Sequence, residues 1–325
     1  MFNPFFHGNP VSPAQFLDRR RELRRITGRI INQGQSTAVV GEPRSGKTSL
    51  LLYLSAPETR DDLYGSNARE KLVFSFVDNQ ALGGDCNQAR FWELALHPFY
   101  ERVIRLGPDP YSPLIQAYRT CQENSFGTFT LERLLAQMNA EGWRFVLLLD
   151  EFDALLHHTV LSCAEFFGGL RTLASRSRGA LALVIASRCP LTDLNRETQQ
   201  FSRTGSPYFN FLDEITLGPW PDKDVTELLG RAGDRFTTAD RRFITKVAGG
   251  HPYLLQVAAF ELWETYAEGQ EDPHRRWQQA GQSLYDKAAL ILDDTWRLWS
   301  PATRKAFTWP TFPGCWSSAS STNSP

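Results

Sequence analysis

The run STAVV, residues 36–40, leads straight into GEPRSGKTSL, residues 41–50, and together they leave the chain few ways to fold. STAVV is β-branched and apolar, while TSLLLYL, which overlaps the end of the second stretch, favours helix. The segment between carries Gly41 and Gly46, then Lys47 and Thr48. This is the spacing G-x-x-x-x-G-K-[ST] placed between a strand and a helix. Such a loop wraps its backbone N–H groups around an anion, and the helix beginning near Lys47 aims the positive end of its dipole at the same point. A side chain at Gly46 is expected to obstruct that cradle. Lys47 would reach the β- and γ-phosphates of a nucleotide as a point charge, and Thr48 would offer a hydroxyl to Mg²⁺. The candidate binding set is Gly41, Glu42, Pro43, Arg44, Ser45, Gly46, Lys47, Thr48 and Ser49.

The rest of the chain supports that setting. Short apolar or β-branched runs recur at KLVFSFV, FVLLLD, ALVIAS and FLDEITL. Longer helical stretches separate them, among them ARFWELALHPFYERVI, FTLERLLAQMNA and CAEFFGGLRTLAS. Strands alternating with helices predict an α/β fold: a mostly parallel sheet covered by helices on both faces, over residues 35–218. FVLLLDEFDALL places Asp150 and Glu151 at the C-terminal end of a buried strand. There Asp150 could join Thr48 in holding a metal's ligand shell, and Glu151 could orient and polarise an attacking water. ALVIASR ends another strand in Ser187 and Arg188, at the edge where ligands of such sheets sit.

Residues 1–34 read as an extended lead-in followed by an amphipathic helix on Leu23, Ile26 and Ile30, dense in arginine. After residue 218 the strands stop. Val225, Leu228, Leu229 and Ala232 form one helical face, and Phe243, Ile244 and Val247 another. Gly249–Gly250 is expected to end that second helix in a left-handed residue, with Pro252 at the first position of the next. This defines an all-helical domain over 219–283. A further helix is expected at 284–298, and SPATRKAF would open one more, giving an incomplete unit over 284–308. Residues 309–325, rich in Ser and Pro, read as a disordered tail.

Composition removes several alternatives. The formal net charge is -1, so no global basic field advertises nucleic acid or a membrane surface. The five cysteines form no C-x-x-C pair, which argues against a zinc knuckle or disulfide framework. The N-terminus lacks the layout of a signal peptide and no run is long enough to span a bilayer, so a cytoplasmic location without membrane contact is expected.

Taken together, these elements resemble the P-loop ATPases with an added catalytic glutamate, and among them the AAA+-like STAND signal-transduction ATPases of bacteria and archaea. The resemblance spans roughly residues 8–300. GEPRSGKT is similar to the family's Walker A and LLLDEFD to its Walker B. FLDRRRELRRI is similar to a leading box that packs by the adenine, with Phe16, Arg19, Glu22 and Leu23 in register. Gly250-His251-Pro252 resembles the family's lid motif, whose proline approaches the base.

The resemblance implies ATP and Mg²⁺ as cofactors, with Thr48 and Asp150 on the metal. It implies Glu151, Lys47 and Arg188 as the catalytic set, Arg188 being the sensor arginine. Arg19 and Pro252 would lie on the nucleotide, and the strand ending in Arg188 would sit between the Walker A and Walker B strands. LWSPATRKAF looks like the start of a winged helix, cut short. The implied function is slow ATP hydrolysis that switches a signalling protein between ATP and ADP states. Nucleotide-dependent self-association, an unknown protein partner, and an arginine finger from Arg176 or Arg178 acting across subunits are left open. Two other readings stand beside it: a DNA-engaging ATPase of the origin-recognition or transposition-helper type, which the charge balance disfavours, and a non-hydrolysing nucleotide-binding interaction module.

Overall fold

Strand β3 (Arg144–Asp150) is buried almost end to end because its side chains feed two cores at once. Phe145, Leu147 and Leu149 enter one cluster, and Val146 and Leu148 the other. The same alternation holds for β4 (Leu181–Ser187), with Leu181, Leu183 and Ile185 on one side and Ala182, Val184 and Ala186 on the other. Side chains of a strand point alternately to opposite faces, so a run apolar at every position demands cover on both.

The computed structural model describes residues 2–17, 19–65, 71–105, 112–201, 206–298 and 304. Strands β1 (Thr37–Val40), β2 (Leu72–Asp78) and β5 (Asp213–Thr216) complete a parallel sheet in the order β2-β3-β4-β1-β5. All five strands fall on the runs read from the sequence. β4 lies between β1 and β3, as the resemblance implied. Register brings the functional strand ends to one edge: Val40 pairs with Ser187, and Asp78 with Asp150.

Helices α1 (Arg20–Gln33) and α2 (Lys47–Ser55) cover one face, where Ile26, Ile30, Leu50 and Leu54 are fully buried. The short α3 (Arg60–Tyr64) packs beside them through Tyr64. The other face is covered by α4 (Gln88–Arg105), α5 (Pro113–Glu123), α6 (Thr128–Ala140) and α7 (Ala164–Arg176). Its core is aromatic, with Phe91 edge-on to Phe166 at 4.9 Å between ring centroids. Helix α8 (Leu191–Thr198) precedes β5.

A second, all-helical body follows: α9 (Asp222–Gly230), α10 (Thr238–Ala248), α11 (Pro252–Ala267) and α12 (Pro273–Leu298). α12 runs unbroken through 283–284, where the sequence suggested a division, and its Ala280 and Leu284 sit in the same core as Leu255 and Leu262 of α11. Two details differ from expectation. Val247 is 40% exposed and takes no part in the inner face that Ile244 forms. Gly249 has φ +56 with ψ −136, so α10 ends outside the left-handed helical basin. The expected winged-helix segment beyond 298 and the tail lie outside the described residues, apart from Arg304.

The N-terminal lead-in is a strap that joins the two bodies. Phe5 is 1% exposed in the helical domain's core, stacked on Phe236 at 5.5 Å and edge-on to Trp263 at 6.3 Å. Leu17 enters the same core. Val11 N–H, further along, donates to Ser49 Oγ on α2 at 3.2 Å. Among the described residues no helix is long and apolar enough to cross a membrane.

Candidate nucleotide site

Lys47 opens α2 directly after the β1 loop, and the loop's geometry explains its residue types. Gly46 adopts φ +96 and ψ 18, a region that residues with a Cβ rarely enter. A Cβ built there meets nothing within 4 Å. Within the chain itself, the glycine is therefore required by backbone conformation and not by crowding from neighbouring protein atoms. Gly41 is the crowded position: a Cβ there would come within 2.6 Å of Ser45 Oγ. Arg44 also holds a left-handed backbone, at φ +62.

Lys47 is 5% exposed, and its Nζ donates to the loop's own carbonyls, Gly41 O at 2.9 Å and Glu42 O at 3.1 Å. Burial pulls its ammonium below the ordinary lysine range, opposed by the carboxylates of Glu151, Asp153 and Asp150. An ammonium that is buried yet faces acidic groups across a cavity is placed to receive an anion.

The acidic side begins at Asp150, 4% exposed. Burial raises its pKa, while hydrogen bonds from the Thr48 hydroxyl and from Glu151 N–H, at 3.1 Å, hold it down. Thr48 and Asp150 thus present a hydroxyl and a carboxylate side by side, the hard oxygen donors that suit Mg²⁺. Glu151 follows in a left-handed conformation, φ 47 and ψ 48, which costs a non-glycine residue roughly 1–2 kcal/mol. That turn throws its carboxylate toward β4, where Arg188 Nε donates to Glu151 Oε2 at 3.0 Å. Arg188 N–H donates to Asp153 Oδ1 at 3.0 Å, fixing the arginine's own backbone.

Lys47, Thr48, Glu151 and Arg188 border one cavity of about 840 Å³ between sheet domain, helical domain and strap. Pro43, Arg44, Ser45, Gly46, Lys47, Thr48 and Ser49 line it, with Glu151, Arg188, Arg19 and Pro252. The volume falls in the range of small-molecule sites. Ser45 Oγ is buried there with no hydrogen-bond partner, an orphan that a bound phosphate or its water could satisfy.

Gly41, Glu42 and Asp150 do not line the cavity and stand behind the loop and Thr48. Arg19, 7% exposed, reaches the wall but directs its guanidinium to Gly218 O at 2.8 Å and Ser45 O at 3.4 Å. It therefore ties the loop at Ser45 to the chain at Gly218. Gly250 lets the helical domain approach: its carbonyl accepts from Trp220 N–H at 2.7 Å, and a Cβ there would lie 2.6 Å from Trp220 O. Pro252 follows as the first residue of α11. Arg176 pairs with Glu132 at 3.4 Å. It and Arg178 precede β4, at the opposite edge of the sheet from the cavity.

Sequence reasoning missed several wall residues: Phe6 through Val11 of the strap, Trp220, Tyr253, and Lys287 on α12. The available signal was the aromatic and proline content of the N-terminus, unusual for a solvated lead-in. Asn79 at the end of β2 was also missed; it is buried and its Nδ2 donates to Asp150 O at 2.6 Å.

No protein-family model matches the sequence, and no curated protein matches it. Solved structures do match. A Walker-type ATPase of Pyrococcus abyssi overlays with a TM-score of 0.60 at 17% identity, covering 88% of this chain and 76% of that one. The ORC2 protein of Aeropyrum pernix, in ADPNP–ADP complexes, gives 0.56 at 12% identity over 85% of this chain and 70% of its own. Drosophila ORC bound to DNA gives 0.55 at 17% identity over 90% and 67%. At these identities the likeness is one of fold: a parallel sheet flanked by helices, the P-loop NTPase fold, followed by a helical C-terminal region.

Proposed function

We propose that the chain binds ATP with Mg²⁺ in this cavity and hydrolyses it slowly, as a nucleotide-controlled switch of the STAND kind. The observation that carries the reading is the convergence of Lys47, Thr48, Glu151 and Arg188 on one cavity. The first two open α2 and the last two follow the ends of β3 and β4.

The loop amides and Lys47 bind and orient the triphosphate, which is most of what phosphoryl transfer asks of a protein. Thr48 and Asp150 would hold Mg²⁺, which when bound neutralises charge on the phosphate oxygens. Glu151 is the base in this reading. Paired with Arg188 it is a poor one, because the guanidinium hydrogen bond at 3.0 Å engages the carboxylate oxygen that would otherwise accept from water. A terminal phosphate beside Arg188 offers that guanidinium a second anion. Glu151 is then released to take a proton from water while Arg188 stays on the phosphate. Loss of the phosphate restores the pair. Arg188 thus reports the presence of the γ-phosphate at β4, and the helical domain, reaching the same cavity through Pro252, responds to the same ligand. Nucleotide-dependent self-association, an unknown protein partner and a cytoplasmic location accompany this reading.

The test is paired. Lys47→Ala is expected to abolish ATP binding measured by calorimetry. Glu151→Gln is expected to retain binding and lose turnover, as measured by phosphate release. Turnover equal to the parent in Glu151→Gln would mean that another group serves as base. Retained binding with no turnover in the parent chain would favour a non-hydrolysing module.

A second reading, a DNA-engaging ATPase, draws support from the overlay on Drosophila ORC bound to DNA. Affinity for duplex DNA falling steeply with salt would favour it; its absence across ATP and ADP states would leave the switch.

A further inference from the structure

One side chain at the tip of the β1–α2 loop touches both other parts of the molecule. Arg44 donates from Nη1 to Gly8 O of the strap at 2.7 Å. Its guanidinium also lies over the Tyr253 ring of α11, 5.4 Å from the centroid, within the roughly 6 Å over which such a cation–π attraction acts. Tyr253 is met edge-on by the strap's His7 at 6.1 Å, and His7 is edge-on to Phe260 of α11 at 5.0 Å. Loop, strap and helical domain therefore close on one another beside the cavity, and Arg44 is the loop's member of that contact. Its reach depends on backbone shape, because the left-handed conformation at Arg44 sets the direction in which the side chain leaves the loop.

We infer that Arg44 is a positioning residue that makes closure of strap and helical domain depend on the conformation of the phosphate-binding loop. A loop drawn around phosphates holds Arg44 where it engages Gly8 and Tyr253 together. The strap, anchored beyond by Phe5 in the helical core, then shuts the exit. A slack loop withdraws the guanidinium from both partners, and the strap is free to open. The inference rests on the nucleotide reading of the cavity and extends it to ligand retention.

Arg44→Gly removes the side chain and leaves a residue that adopts the left-handed backbone freely, so the cradle can still form. Dissociation of a fluorescent ADP analogue is expected to accelerate about fivefold to seventyfold, the range set by one cation–π contact with one hydrogen bond. Tyr253→Leu is expected to accelerate it too, Tyr253→Phe to stay within about twofold of the parent because the ring face remains, and the double variant Arg44→Gly/Tyr253→Leu to be no faster than Arg44→Gly alone. Hydrogen exchange of residues 2–17 is expected to slow with ADP in the parent and not in Arg44→Gly. Fully additive rates, or a strap still protected by ADP in Arg44→Gly, would overturn the inference and leave Arg44 a simple phosphate contact. A parent chain that fails to bind the analogue would instead refute the nucleotide reading itself.

Discussion

Asp240 is a carboxylate of the helical domain that accepts four side-chain and backbone hydrogen bonds, and replacing it with asparagine tests whether that domain is built as described. The residue is 0% exposed. Its Oδ2 accepts from Thr237 N–H at 2.8 Å, from the Thr237 hydroxyl at 2.7 Å and from the Tyr266 hydroxyl at 2.6 Å. Its Oδ1 accepts from Trp277 Nε1 at 2.8 Å. The carboxylate therefore caps α10 and staples it to α11 and α12. An amide of the same shape would keep its oxygen at the crowded position and turn its NH₂ toward the Trp277 N–H. That leaves a buried donor facing a donor, at about 1–3 kcal/mol. The remaining three bonds fall from charge-assisted to neutral, at roughly 0.5–1 kcal/mol each. Release from burying a charge offsets part of the loss. The expected net is about 3 kcal/mol.

Urea unfolding of the full chain gives the total effect, and hydrogen exchange over α10 to α12 gives the local one. The effect must also depend on pH. Burial pushes the Asp240 carboxyl up, but hydrogen bonds from Tyr266, Thr237 and Trp277 outweigh it and hold the pKa below the ordinary range. A folded-state pKa below the unfolded value of about 3.9 means that the stabilisation is complete above that value and fades as pH falls through the folded one. Asp240→Asn should remove this acid-side slope. A loss of less than about 1 kcal/mol, or a slope unchanged below pH 4, would refute the network's role.

Two further outcomes follow from the site. Gly46→Ala is expected to weaken ATP binding about fivefold to thirtyfold, at about 1–2 kcal/mol of backbone strain, while leaving the circular dichroism of the fold intact; undiminished affinity by calorimetry would show that φ at this position is not constrained. Pro252→Ala is expected to reduce nucleotide affinity by a few fold, about 0.5–1 kcal/mol of apolar contact; no change would remove α11 from the wall of the nucleotide site.

Local order dictated what could be read in advance. The five strands and the loop at 41–48 each lie within a short segment whose residue types set backbone and burial together, so pattern alone located them. Parallel pairing then carried Val40, Asp150 and Ser187 to one edge, which the strand ends already implied. Amphipathic faces built on Ile26 or Leu228 were equally legible, because helical spacing is a property of neighbours. Where a face is interrupted, as at Val247, spacing overcounted the core.

The rest was decided by contacts between residues distant in the chain. Nothing near Phe5 says that its ring will lie between Phe236 and Trp263, nor that Gly8 will meet Arg44. The Glu151–Arg188 pair required the left-handed turn at Glu151 as well as the adjacency of β3 and β4. α12 ran past residue 283 because its apolar residues found α11 to pack against, not because its own sequence lacked a stopping place. The sequence alone thus specified a glycine-bounded loop leading from a strand into a helix of a parallel sheet, since backbone chemistry is local. Only tertiary structure could close a strap and a helical domain over it, since burial is shared among segments that have no knowledge of one another until they meet.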